Sequence, residues 1–62
     1  MNLTIGRKIY ARDKTKWRSW GVITKTGQDT IELFTAGNPE GYKTRQENVS
    51  DIIKWSNEGL LK

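Results

Sequence analysis

Apolar residues in this chain fall at every second position, in short runs separated by turn formers. A period of two belongs to strands with one buried face, so it restricts the chain to an antiparallel β fold. Leu3, Ile5, Ile9 and Ala11 form the first such series, with Arg7 its polar member and Gly6 placed for a bulge or sharp bend. Lys8, Tyr10 and Arg12 then share the opposite face. Asp13 to Lys16 reads as a loop, and Trp17 to Thr26 as a second strand; if Ile23 points inward, Gly21 and Ser19 do too and Trp20 and Val22 face out, but both faces carry apolar residues and the pattern leaves the phase open. After the connection Thr26-Gly27-Gln28-Asp29, the run Thr30 to Thr35 points Ile31 and Leu33 to a core and Glu32 and Phe34 away from it. Ala36 to Gly41 is dense in turn formers around Pro39, and Tyr42 to Gln46 reads as a fourth strand.

The remaining residues close the fold. Ser50 and Asp51 are suited to cap one short turn, Ile53 and Trp55 to continue as a fifth strand, and Ser56 to Lys62 to form a last turn laying Leu60 and Leu61 over an open end of the core. The expected core is Ile5, Ile9, Ile23, Ile31, Leu33, Val49 and Ile52. Five short strands of this kind curl into a small antiparallel barrel, which limits exposed edges. At 62 residues the chain makes one domain, residues 1–62, with 56–62 as its turn or tail.

What is missing narrows the chemistry. The chain has no cysteine and no histidine, which removes disulfides, thiolate zinc sites, the commonest metal ligand and the commonest general base. Asp13, Asp29, Glu32, Glu40, Glu47, Asp51 and Glu58 show no metal-binding spacing, and no Gly-rich phosphate loop is present. The expectation is a non-enzyme with no cofactor and no metal. Apolar runs are too short for a spanning helix or a signal peptide, so the expected location is cytoplasmic and off the membrane.

The net charge of +4 hides an asymmetry. Arg7, Lys8, Arg12, Lys14, Lys16, Arg18 and Lys25 face Asp13 alone in the first 25 residues, a net of +6, whereas the rest of the chain is at −2. Arg12, Lys14, Lys16 and Arg18 recur at every second position, with Tyr10 before them, Trp17 among them and Trp20 just after. Cations interleaved with aromatic rings suit a phosphate backbone with exposed bases. These seven residues are the expected nucleic-acid-binding site.

Ile5-Gly6-Arg7-Lys8-Ile9-Tyr10-Ala11, Trp20-Gly21-Val22-Ile23, Ile31-Glu32-Leu33-Phe34-Thr35 and Gln46 to Ile53 together resemble a Tudor-type, SH3-like barrel over about residues 3–53. The resemblance implies an all-β, five-stranded antiparallel barrel with a short helical turn near the C-terminus. Tudor domains surround a methylated lysine or arginine with aromatic rings. By position Phe34 matches such a cage, with Tyr42 or Trp17 contributing, while Asp13 and Ala36 or Gly37 stand where further aromatics are expected. The DNA-binding carboxy-terminal domains of retroviral integrases are similar around Tyr10, Arg12, Asp13 and Trp17.

Two functions follow as expectations. The first is a small basic nucleic-acid-binding module, its partner DNA or RNA, using the first loop. The second is a protein-interaction module or inhibitor of the kind phages and mobile elements encode, with Trp17, Phe34 and Tyr42 as its surface.

Overall fold

The structure, a computed structural model, describes residues 1–38 and 41–62, with the side chains of 36–38, 41 and 42 outside the description. It is mostly β. Four antiparallel strands, β1 (Lys8–Asp13), β2 (Lys16–Thr26), β3 (Thr30–Asn38) and β4 (Gly41–Asn48), form one sheet in chain order, followed by the helix α1 (Val49–Asn57). The inner face carries Ile9, Ile23, Ile31 and Leu33, and Ile52 of α1 and Leu61 complete the buried core. Each fully buried Ile or Leu contributes about 1.5–3 kcal/mol, so these few residues supply most of the driving force for a chain this short.

The first strand starts later than its alternation suggests. Arg7 N–H donates to the Thr4 carbonyl at 3.1 Å and Gly6 has φ of 91°, so residues 4–7 turn instead of extending. That turn breaks the parity of the series, and Ile5, expected in the core, is 68% exposed. Leu3 still packs against the core from the side.

Two bulges shape β2. Ile9 pairs with Gly21 and Tyr10 with Ser19, which leaves Trp20 as an extra residue; Ile23 pairs with Leu33 and Lys25 with Glu32, which leaves Thr24 as another. The first bulge reverses the phase of everything before Gly21. Ile23 does point inward, yet Ser19, which simple alternation from Ile23 would turn in, stands opposite Tyr10 on the outer face, and Trp20, which it would turn out, is half-buried against the core. Gly21 suits a close approach, because a Cβ there would lie 3.2 Å from the Phe34 carbonyl oxygen and 3.3 Å from the Leu33 Cβ, and the neighbouring strand would have to shift by a few tenths of an ångström to admit it.

The later elements are longer than their turn signals indicate. β3 runs to Asn38 and β4 resumes at Gly41, with Asn38 paired to Gly41, so residues read as turn extend both strands. Pro39 and Glu40 lie outside the described residues. The expected fifth strand through Ile53 and Trp55 is helical, and α1 is preceded by Asn48 as its N-cap, not by Ser50 or Asp51. The physical reason is a three-residue period: Val49, Ile52 and Trp55 recur on one helical face and all three belong to the core or pack on it. Val49 is thus half-buried at the edge of the core and not inside it.

Past α1 the chain turns through Gly59 at φ 81°. Gly59 N–H donates to the Ser56 carbonyl at 3.1 Å and Leu60 N–H to the Trp55 carbonyl at 2.8 Å, the paired bonds of a Schellman cap. Residues 60–62 then run beside β1. Tyr10 N–H donates to the Lys62 carbonyl at 2.7 Å, Lys62 N–H to the Tyr10 carbonyl at 2.9 Å and Arg12 N–H to the Leu60 carbonyl at 2.8 Å. The expected helical turn covering the core with both leucines is absent. An extended segment must alternate its side chains, so Leu61, bridged to Ala11, is buried and Leu60 is exposed.

Candidate nucleic-acid interface

The site begins with the β1–β2 hairpin, whose two-residue connection, Lys14 and Thr15, is flanked by the pair Asp13 and Lys16. Lys14 adopts φ of 58°, a left-handed backbone that lets the strands reverse tightly. This register decides which side chains share a face. Directly paired residues of an antiparallel ladder project to the same side, so Arg12 joins Trp17, and Tyr10 joins Ser19, on the outer face. Ala11 with Arg18, and Asp13 with Lys16, project to the other.

The every-second-residue series of cations therefore does not make one stripe. Counting by two continues a face along a strand, but crossing this turn changes the parity. Arg12 lies on the outer face, Lys14 at the turn, and Lys16 and Arg18 on the opposite side. Arg18 Nε is 2.7 Å from Asp13 Oδ2, an exposed pair that fixes local geometry and adds little stability. Asp13, Lys14, Thr15, Lys16 and Arg18 line a shallow groove at the tip.

The outer face gains residues that the first loop alone does not contain. Lys62 pairs with Tyr10 through the backbone, and its ammonium lies 4.5 Å from the centroid of the Trp17 ring. Lys8, paired with Val22, continues the face along β1, and Phe34, also paired with Val22, continues it across the sheet. Arg12 is held at the turn by its Nε donating to the Lys14 carbonyl at 3.0 Å. Tyr10 and Trp17 each remain 37% exposed. No signal in the sequence near the loop points to Lys62, since the pairing that brings it there spans most of the chain.

Trp20 does not join this surface. Its ring meets Trp55 edge to face with centroids 6.2 Å apart, and the Arg45 guanidinium lies 4.6 Å from its centroid on β4. Arg45 also donates from Nη2 to the Trp20 carbonyl at 3.4 Å and lies 3.6 Å from Glu47 through Nε. These contacts use Trp20 as a packing residue between sheet and helix. Of the alternative interaction surface, Trp17 and Phe34 share the outer face; the side chain of Tyr42 lies outside the described residues.

Among the described residues no group of three or more Asp or Glu side chains is placed to hold a metal ion. Among these same described residues no helix is long and apolar enough to cross a membrane. Compared with protein-family models, curated proteins and solved structures, the chain finds no match.

Proposed function

We propose that this chain is a small nucleic-acid-binding module working through the outer face of the β1–β2 hairpin. The observation that carries the reading is the gathering of Tyr10 and Trp17, both partly exposed, with Lys8, Arg12 and Lys62 on one side of the sheet. Rings offer stacking surfaces to bases and the cations offer charge to the phosphates between them. The binding surface is thus the outer face with Lys14 at its tip, while Lys16 and Arg18 add long-range charge from the other side. In this reading the fold is a small SH3-like barrel of Tudor type, supported by residues 60–62 lying as a fifth member on the edge of β1.

Three or four cations reaching phosphates give a slope of roughly −2 to −4 in log affinity against log salt. Fluorescence anisotropy over a salt series tests the assignment. Replacing Lys8, Arg12 and Lys62 together by Ala is expected to weaken binding and flatten the slope by about 2. Replacing Lys16 and Arg18 together is expected to move it less. No binding at low salt, or equal losses from the two sets, overturns the outer-face site. The second reading, a protein partner, is favoured by Trp17 and Phe34 sharing that face; it predicts a complex that buries both rings and no saturable nucleic-acid binding.

A further inference from the structure

We infer that the ligand of the outer face is a single-stranded nucleic acid, its bases splayed onto Tyr10 and Trp17, and this inference rests on the nucleic-acid reading above. Two features of the hairpin select a single strand over a duplex.

The first is width. A two-stranded ribbon fits the major groove, which is about 12 Å across. Here β1 carries β2 on one side and residues 60–62 on the other, at the same level as Tyr10 and Arg12. Three strands place the outer backbones about 10 Å apart before any side chain is added. A ribbon of that breadth, with Trp17 and Tyr10 projecting from its face, lies across a groove and not in it.

The second is spacing. Tyr10 stands opposite Ser19 and Trp17 opposite Arg12, which makes the two rings diagonal neighbours, about 7 Å apart at their roots. Bases stacked in a duplex rise about 3.4 Å. Two adjacent bases of a stacked helix cannot each cover one ring, whereas an unstacked strand can lay successive bases on both. The Lys62 ammonium lies over the Trp17 ring, so a base stacking on that face displaces it, and Lys62 and the Arg12 guanidinium held at the turn are then the cations nearest the two rings for the strand's phosphates.

The experiment is anisotropy of labelled oligothymidylate, oligouridylate and a mixed-sequence duplex at one fixed salt concentration, with wild type, Trp17→Ala, Trp17→Phe and Tyr10→Ala. Folding of each variant is confirmed by circular dichroism. Oligothymidylate is expected to bind about tenfold or more tighter than duplex, and Trp17→Ala to weaken it by about fivefold to a hundredfold. Trp17→Phe should keep most of the affinity, because a smaller ring still stacks. Duplex binding, driven by charge, should be unchanged by all three. Duplex binding as tight as oligothymidylate, with folded Trp17→Ala and Tyr10→Ala neutral, overturns the single-strand inference and leaves the nucleic-acid reading standing. Oligouridylate, which offers the same unstacked bases, is expected to bind more tightly than duplex as well, and failure of both single strands to exceed duplex overturns the inference. No binding to any of the three overturns the inference together with the reading beneath it.

Discussion

The β1–β2 tip and the body of the sheet below it put tryptophan to opposite uses. In the body, Trp20 is enclosed by Trp55, Arg45 and the core, and its position is fixed by a bulge that swings it inward. At the tip, three residues earlier, Trp17 stands on the outer face with an ammonium against its ring and more than a third of its surface open. The two lie in one β-favouring run, Trp17 between Lys16 and Arg18 and Trp20 between Ser19 and Gly21. What separates them is register: one residue bulged out of the ladder sends one ring to packing and leaves the other partly exposed on the outer face.

That contrast can be broken from either side. The largest effect is expected in the body. Leu33 is fully buried at the centre of β3, and Leu33→Ala should cost about 2–5 kcal/mol, enough to unfold much of a domain whose net stability is about 5 kcal/mol. Urea denaturation measures it, and a midpoint close to wild type would mean that the inner face is not the core. A smaller effect is expected where the two regions are joined. Gly59 holds a left-handed backbone that an alanine adopts at a cost of about 1–2 kcal/mol. In Gly59→Ala the Lys62 amide, which donates to Tyr10, should exchange with solvent faster than in wild type; unchanged protection would show that the tail docks without this turn. The smallest effect is expected at the tip, where Arg18→Ala removes an exposed ion pair and should shift stability by about 0–1 kcal/mol. A thermal melt that dropped as far as that of Leu33→Ala would place Arg18 in a structural role.

The sequence carried the parts of this fold that depend on neighbours and hid those that depend on distance. Alternation around Ile31 and Leu33 marks β3 and its buried face, and Thr26-Gly27-Gln28-Asp29 marks the turn before it, with Gly27 N–H bonded to the Thr30 carbonyl. Ile9, Ile23 and Ile52 are buried as their positions suggest. Val49 to Asn57 read as turn and strand because Ile and Trp favour strands, yet the three-residue recurrence of Val49, Ile52 and Trp55 holds the helix against the core. Bulges leave no mark in a pattern of apolar and polar residues, so the phase at Ser19 and Trp20 could not be read. At the candidate site Tyr10, Arg12 and Trp17 do share a face, while Lys16 and Arg18 are separated from them by parity across a turn of two residues. Lys62 enters through a pairing between opposite ends of the sequence, a contact that no local pattern encodes.

That pairing also bears on how the chain reaches its native state. β1 cannot complete its ladder until residues 60–62 arrive beside Tyr10 and Arg12, and closing a loop of some fifty residues costs entropy before any bond rewards it. The β2–β3 and β3–β4 hairpins are local and can assemble early, but Ala11 and Leu61 meet only when helix α1 has formed and turned the chain back. During synthesis β1 emerges first and waits longest, with one edge unpaired. Lys8 and Arg12 lie within β1, and charged side chains of this kind along an open strand edge disfavour edge-to-edge pairing of unfinished chains.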